Sequence, residues 1–450
     1  LDLQKLKQSW SSCSRTCNLR VKITAMRIAP KLAFLLLLFQ ACSSGSDSAE
    51  TTDNAGSQAG IEVPEGFKAE VYADDLGKGR HMASRANGDL YLRLSYPERG
   101  ESIVALRDSN QDGIVDRKVY FEEIDGGTGI KVHNGYLYFS TNTQVFRRRF
   151  NGNELVPSGE RELILTLADQ NQHAAKPLAF DEEGNMYVTI GAPSNACQDP
   201  SRTKGVAGQD PCPLLESSGG IWKFSANTPN QTFEDGENFA TGIRHAVGIT
   251  WNPNHSKLYA MQHGRDQLHE FWPEIYTAKQ SAELPGEEFL RIEEGSDFGW
   301  PYCYYDWQKR VKLLNPEYGG NGDSIGRCGN VDLPLMGFPG HWAPNAIEFY
   351  NQDQFPVNYK GGAFIAFHGS WNRAPFPQEG YRVVFVPFSG PDPISGYQSF
   401  ATGFSGKNDQ PESPASAEYR PCGLAVGSKG SLFISDSQKG RIWRISYEGN

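Results

Sequence analysis

The chain has 450 residues, of which 38% are hydrophobic and 12% aromatic, and it contains 48 Gly and 27 Pro. Such a composition favours a large all-β fold and argues against long helices. The formal charge is −10, and the first 41 residues carry seven Lys or Arg against one Asp, so the remainder of the chain is more acidic still. This charge argues against nucleic acid as a partner.

An export signal is predicted at residues 26–41. Arg27 and Lys31 precede an apolar run at 32–39, which is far below the roughly 20 residues that a membrane-spanning helix needs. The run leads into Gln-Ala-Cys42, which resembles a bacterial lipobox. We therefore expect an exported protein that is periplasmic or anchored in the outer membrane through lipid on Cys42, with plain secretion as the alternative.

The remaining boundaries follow from that signal. Because the signal begins naturally at Met26, residues 1–25 are interpreted as upstream sequence translated in error. The polar tract at 42–60 is rich in Ser, Gly, Asp and Ala and predicts a flexible tether. Residues 61–450 are then expected to form the folded domain.

One short pattern recurs six times along this domain. It is a turn with Gly or a polar pair, followed by an apolar residue, an aromatic residue and another apolar residue. The mean spacing of about 68 residues predicts one four-stranded antiparallel blade per repeat, and hence an all-β, six-bladed β-propeller. The alternative is an all-β protein whose hairpins share turn chemistry by chance. The aromatic positions are Tyr91, Tyr138, Tyr187, Tyr259, Phe364 and Phe433.

An early loop has the oxygen-ligand spacing of the first part of a calcium loop. Its polar positions are Asp108, Asn110, Asp112 and Asp116, whereas Val119 stands where an EF-hand has its bidentate Glu. A structural Ca²⁺ site in a hairpin and a metal-free Asp/Asn/Gly turn both remain open.

The long interval between the fourth and fifth aromatic positions predicts insertions into the propeller. Its residues 268–282 have a helical pattern, and the stretch 303–328 is bounded by two cysteines. We interpret both as insertions above one blade.

Five cysteines follow Cys42, and export permits disulfides. Pairing Cys197 with Cys212 and Cys303 with Cys328 closes loops of 15 and 25 residues, each worth roughly 3 kcal/mol in the loop-entropy model. Cys422 is then predicted to be a buried free thiol. No cysteine spacing predicts zinc or haem, so any redox chemistry requires another cofactor.

Five segments in a fixed order carry a resemblance to a known family. They are 173–191, Gly-Ile-Arg-His-Ala-Val-Gly at 242–248, Asp-Phe-Gly-Trp-Pro at 297–301, His-Gly-Ser-Trp-Asn-Arg at 368–373, and Arg-Pro-Cys-Gly-Leu-Ala-Val-Gly at 420–427. Together they resemble the glucose/sorbosone dehydrogenases, which bind pyrroloquinoline quinone over the axis of a six-bladed propeller. The resemblance implies oxidation of an aldose or a sugar-like aldehyde or alcohol by hydride transfer to the quinone. Electrons would then pass to a separate acceptor, a cytochrome or a quinone.

The resemblance also implies roles for individual residues. His173 corresponds to the catalytic histidine, which removes the hydroxyl proton as hydride leaves. Arg244 corresponds to an arginine that stabilises charge developing on the quinone. Further partners of the tricarboxylate cofactor are expected among a set of cationic and imidazole side chains. These are Arg80, His245, His368, Arg373 and Arg420.

Calcium in this family is held partly by backbone carbonyls, which correspond here to Gly264 and Arg265. Three residues depart from the soluble glucose dehydrogenases, with Ala192 in place of Asp, His245 in place of Asn and Arg265 in place of Pro. These departures place the chain nearer the sorbosone or pyranose branch.

Two other functions remain open. A calcium-dependent propeller hydrolase of the lactonase type would share the fold, but it would surround a central ion with carboxylate and Asn side chains. A non-catalytic propeller that binds glycan or protein partners is the second alternative, because the fold does not determine the function.

Overall fold

The computed structural model describes residues 59–406 and 410–449. The predicted signal, the lipidation site at Cys42 and nearly all of the predicted tether lie outside the described residues. Within the described ranges, no helix is long and apolar enough to cross a membrane.

The described chain is built mainly of β-strands. In chain order they are β1 (Phe67–Ala73), β2 (Gly79–Ser84), β3 (Leu90–Glu98), β4 (Glu101–Arg107), β5 (Arg117–Phe121), β6 (Ile130–His133), β7 (Tyr136–Ser140), β8 (Gln144–Arg149), β9 (Glu162–Thr166), β10 (Leu178–Phe180), β11 (Asn185–Ile190), β12 (Gly220–Ser225), β13 (Glu237–Thr241), β14 (Ala246–Asn252) and β15 (Lys257–Gln262). They continue with β16 (Glu287–Ile292), β17 (Ser296–Asp297), β18 (Cys303–Asp306), β19 (Val311–Leu314), β20 (Met336–Phe338), β21 (Pro344–Phe349), β22 (Ala363–Phe367), β23 (Arg382–Val386), β24 (Phe388–Ser389), β25 (Asp392–Pro393), β26 (Gln398–Ala401), β27 (Pro421–Val426), β28 (Leu432–Asp436) and β29 (Ile442–Tyr447).

Six antiparallel four-stranded blades account for most of these strands. Blades 1 and 2 are β2 to β5 and β6 to β9, and blade 3 is β10 to β13. Blade 4 joins β14, β15, β16 and β20, and blade 5 joins β21, β22, β23 and β26. Blade 6 takes β27, β28 and β29 from the end of the domain and β1 from its beginning. The predicted six-bladed propeller is confirmed.

The recurring aromatic residues explain why the sequence forms this fold. Each of the six lies on the second strand of its blade, and all six are buried. Second strands are covered on both faces by neighbouring blades, so they form nearly continuous apolar runs rather than alternating patterns. In Ala363–Phe367, for example, every residue is buried.

Both predicted insertions belong to blade 4. The helical segment forms two short helices, α1 (Leu268–Phe271) and α2 (Ala278–Glu283), between β15 and β16. Strands β17 to β19 lie between β16 and β20, and β17 pairs parallel to β13, which extends blade 3. Short 3-10 segments occupy Pro213–Glu216, Phe233–Asp235, Pro316–Tyr318, Gly326–Asn330, Val357–Tyr359 and Pro414–Ser416.

Both predicted disulfides are confirmed. Cys197 is bonded to Cys212 with their Cα atoms 6.1 Å apart, and Cys303 to Cys328 at 5.8 Å. Cys422 is buried and free, as expected.

The direction of the strands determines where a site can lie. The first strands of the blades contact one another around the axis. Because successive strands of a blade run antiparallel, the connections between blades and those from second to third strand emerge at one end of the axis. We call this end the site face.

Candidate active site

Loops of the site face enclose a cavity of about 160 Å³. They come from blades 3, 4 and 5, at the connections β9–β10, β13–β14, β15–β16, β20–β21 and β22–β23. Of the predicted site residues, the cavity brings together His173, Arg244, His245 and Gly264.

The protonation state of His173 follows from its hydrogen bond. Its Nδ1 lies 2.5 Å from the carbonyl oxygen of Ala192, and because a carbonyl can only accept, Nδ1 carries the hydrogen. The lone pair is then on Nε2, the atom that a general base requires. Burial, together with the positive charge of Arg244, lowers the pKa of His173 to about 3. The imidazole is therefore neutral near pH 7.

Two further histidines line the cavity beside His173. The His245 ring stacks on His173 with centroids 4.5 Å apart, and His263 lies 5.1 Å from His245. Burial lowers the pKa of His263 to about 4 and that of His245 well below its ordinary value. A row of neutral imidazoles therefore forms one wall of the cavity.

Arg244 is almost fully buried, with 3% of its surface exposed. It donates to the Gly264 carbonyl at 2.9 Å, to Asn195 at 3.0 Å and to the Asp266 carboxylate at 2.7 Å. Its backbone N–H donates to Gln262 at 2.6 Å. These bonds fix the guanidinium in the wall of the cavity.

A second predicted group, Arg80, His368 and Arg420, forms a cluster of its own. Arg420 donates to Nδ1 of His368 at 2.8 Å, and Nε2 of His368 donates to Ser437 at 2.6 Å. Both arginines influence the pKa of His368, which burial lowers well below its ordinary value. Among the described residues neither arginine has a carboxylate within ion-pair distance, since Arg80 donates to Thr128 and Arg420 mainly to carbonyls.

The two clusters are neighbours. The charge of Arg80 lowers the pKa of His368 in one cluster and that of His263 in the other. The predicted base and the predicted carboxylate-binding arginines therefore share one electrostatic environment.

The side chains of two predicted residues bond to other protein groups and are not free to contact a cofactor. The structure gives no support to a cofactor contact by Arg373, because its three guanidinium nitrogens bond to backbone carbonyls and to Glu283 and Glu379. These bonds hold the β22–β23 loop to α2. Arg265 forms a buried ion pair with Glu317, so its charge is neutralised and only its carbonyl is relevant to a metal.

The Asp108–Asp116 loop connects β4 to β5 and therefore lies at the end of the axis opposite the site face. Its side chains accept from the loop's own N–H groups, with Gly113 donating to Asp108 at 2.8 Å and Ser109 to Asp116 at 3.0 Å. No group of three His, Cys, Asp or Glu side chains within the described ranges is arranged to hold a metal. Calcium binding by this loop remains a prediction.

The cavity also contains residues that the motifs did not indicate. Asp266 and Glu287 line it, as do Trp371 and Asn372. Glu287 accepts from the backbone N–H groups of Gly264 and Ala343, both at 2.9 Å, and burial raises its pKa to about 8. Their positions in the sequence could have indicated two of these residues. Asp266 directly follows Gly264 and Arg265, and Trp371 lies in the motif at 368–373.

Fold and site together define a class: a six-bladed propeller with a cavity lined by a neutral histidine and a buried arginine, and with a neighbouring cluster of arginines that have no carboxylate partner among the described residues. Residues 61–448 match the family described as TrAA12-like, and the chain belongs to this family. The family resemblance drawn from the motifs is thereby confirmed.

Individual relatives agree with that membership. The chain is 22% identical, over 93% of its length and 96% of the relative's, to a pyrroloquinoline quinone-dependent sugar dehydrogenase of Hypocrea jecorina. Its fold is similar, with a TM-score of 0.68 at 18% identity, to the holo form of the pyranose dehydrogenase PQQ domain of Coprinopsis cinerea, covering 86% of this chain and 97% of that one. The calcium structure of a Trichoderma reesei enzyme of family AA12 gives the same TM-score, identity and coverage.

Proposed function

We propose that this protein is a pyrroloquinoline quinone-dependent dehydrogenase that oxidises an aldose or a sugar-like aldehyde or alcohol. The observation that carries the proposal is the neutral His173, with its lone pair on Nε2, in a cavity that it shares with Arg244. A neighbouring cluster adds Arg80 and Arg420, which have no carboxylate partner among the described residues. The names of the relatives support the same reaction. Within this class we favour a pyranose- or sorbosone-type substrate over glucose, because Ala192 and His245 depart from the glucose enzymes.

The described residues fit the quinone. Its three carboxylates require cations, and Arg80 and Arg420 are two cations near the cavity that have no carboxylate partner among the described residues. His368, which accepts from Arg420, completes this group. Buried polar atoms of Arg244 and His245 that lack a partner also lie in the cavity wall. When bound, the quinone supplies the acceptor for hydride.

Calcium is the second proposed cofactor, held in part by the carbonyls of Gly264 and Arg265. The Arg265 side chain does not oppose it, because Glu317 neutralises that charge. The Gly264 carbonyl already accepts from Arg244, so the metal would share this oxygen with the guanidinium. The metal would supply additional positive charge at the reacting end of the cavity.

The side chains of the cavity then have distinct tasks. Nε2 of His173 takes the proton of the reacting hydroxyl, while Nδ1 keeps its hydrogen bond to Ala192. Arg244 places a fixed positive charge where negative charge develops on the acceptor.

Other parts of the proposal concern the protein's surroundings. Electrons leave to a separate acceptor, a cytochrome or a quinone, because no haem-binding spacing is present in the sequence. The signal pattern supports export, and the two disulfides agree with an oxidising compartment. Lipid on Cys42 is the proposed membrane anchor.

A reconstitution experiment tests the function. Purified protein is titrated with pyrroloquinoline quinone in the presence of Ca²⁺, and aldoses, pyranoses and sorbosone are then screened with an artificial acceptor. We expect saturable binding and sugar-dependent reduction of the acceptor that requires the quinone. Binding without turnover of any sugar would favour a non-catalytic propeller, and absence of binding would contradict the proposal.

A further inference from the structure

Asp266 lies where four loops of the site face meet. Its carboxylate accepts from Arg244 and from Arg202, both at 2.7 Å, and from the side-chain amide of Asn372. Arg244 comes from the β13–β14 connection, Arg202 from the loop closed by the first disulfide, and Asn372 from the β22–β23 loop. Asp266 itself belongs to the β15–β16 loop.

The backbone of Asp266 is fixed as well. Asn195 donates to the Asp266 carbonyl and accepts from its N–H, both at 2.9 Å. The same Asn195 oxygen accepts from Arg244 at 3.0 Å. These two hydrogen bonds to the backbone of Asp266 direct its carboxylate toward the two arginines.

The charge of Asp266 is essential to the arrangement. The carboxylate forms ion pairs with the guanidinium groups of both Arg202 and Arg244, each at 2.7 Å. Without the carboxylate the two arginines would repel each other, because both guanidinium groups donate to the same Oδ2 atom of Asp266. A neutral residue at position 266 would therefore release Arg244 rather than leave it in place.

We propose that Asp266 is the positioning residue of the site: it fixes Arg244 in the cavity wall and holds the loop of Trp371 and Asn372 against the cavity. This inference rests on the proposed function for its effect on catalysis, but not for its effect on the two loops. Because Arg244 acts on charge that develops during the reaction, losing its position should lower the rate of hydride transfer more than cofactor affinity.

The first test uses the protein without cofactor. Hydrogen–deuterium exchange is measured for backbone amides at 242–246 and 369–376 in the parent, in Asp266→Asn and in the matched control Asp210→Asn. Asp210 carries an exposed ion pair with Arg327 at 2.9 Å. We expect Asp266→Asn to exchange about tenfold faster in both segments, and the control to match the parent.

A second variant separates the two tasks and serves where Asp266→Asn does not fold. Asn372→Ala keeps the carboxylate and both arginines, so exchange should rise at 369–376 and stay unchanged at 242–246. Parental exchange of 369–376 in this variant, or of both segments in Asp266→Asn, would overturn the inference.

The catalytic effect is measured on protein loaded with pyrroloquinoline quinone. Single-turnover reduction should fall about 10- to 100-fold in Asp266→Asn, with quinone affinity within about threefold of the parent. A loss of affinity as large as the loss of rate would instead identify Asp266 as a direct cofactor ligand. If the parent oxidises no sugar, the proposed function fails while the exchange result still decides the positioning role.

Discussion

The peptide of Ala192 connects the proposed base to the proposed catalytic arginine. Its carbonyl accepts the Nδ1–H of His173 at 2.5 Å, and its N–H donates to the carbonyl of Arg244 at 2.8 Å. The glucose enzymes that the motifs resemble have Asp at this position, but here a backbone carbonyl orients the imidazole. The substitution by Ala therefore removes a carboxylate without removing the hydrogen bond that selects the tautomer.

The first prediction concerns His173 itself. His173→Ala should leave quinone binding nearly intact and lower kcat by the roughly 10²- to 10⁴-fold that a lost general base costs. Titration with the quinone followed by single-turnover reduction separates the two effects. His255→Ala, in the turn between β14 and β15 at the other end of the axis, is the control and should behave as the parent. Reduction at the parental rate in His173→Ala would place the base elsewhere.

Arg420 should contribute to binding rather than to proton transfer. Arg420→Ala deletes a cation beside the cavity and should weaken quinone binding about 10- to 100-fold, the loss expected for a charge-assisted hydrogen bond. The saturated enzyme should keep most of its kcat. Arg327→Ala, which removes an exposed arginine, serves as the control in the same titration. Unchanged affinity in Arg420→Ala would remove this residue from the cofactor site.

Buried histidines should make the stability of the protein depend on pH. Burial lowers the pKa of His81 and His173 to about 3 and that of His263 to about 4, below the value of about 6.5 in an unfolded chain. The unfolded state then binds more protons between these values. The contribution of these histidines to the free energy of unfolding is therefore complete above pH 6.5. Below that value the free energy of unfolding decreases by about 1.4 kcal/mol per pH unit for each histidine.

Urea unfolding at pH 7.5, 6 and 5 measures this slope. His81→Gln keeps a side-chain donor for the Asn345 carbonyl, which His81 contacts at 2.6 Å, and removes one titrating group outside the active-site cavity. The slope of the free energy of unfolding against pH should therefore be smaller in the variant than in the parent, by about 1.4 kcal/mol per pH unit. An identical slope in parent and variant would show that His81 keeps an ordinary pKa in the folded protein.

Membrane attachment should depend on Cys42. The wild-type protein is expected to fractionate with membranes, and Cys42→Ser to remain in the soluble fraction, because the apolar run at 32–39 is too short to span a bilayer. Fractionation followed by immunoblotting measures the distribution. A Cys42→Ser protein that still pellets with membranes would contradict the lipid anchor.

The fold could be predicted from the sequence because each second strand repeats the same apolar and aromatic pattern next to a turn. The positions of His173 and Arg244 at the cavity could be predicted, because both lie in the segments that lead into the first strands of blades 3 and 4. The role of Asp266 depends on contacts with Arg202 and Asn372, which are far apart in the chain and have no local pattern. The side-chain contacts of Arg373 with Glu283 and Glu379 could not be predicted either, because a motif locates a residue in a loop but not the direction of its side chain.

The pairing of β1 with β29 has a consequence for how the protein assembles. The last blade needs a strand from each end of the domain, Phe67–Ala73 and Ile442–Tyr447, so the ring cannot close until the final strand has been synthesised. Until then β1 has no partner, and its free edge is open to pairing with another chain. Ring closure also joins segments that are far apart in the sequence, and contacts of this kind are associated with slow folding. Aggregation during production should therefore depend most on the time between the synthesis of β1 and its pairing with β29.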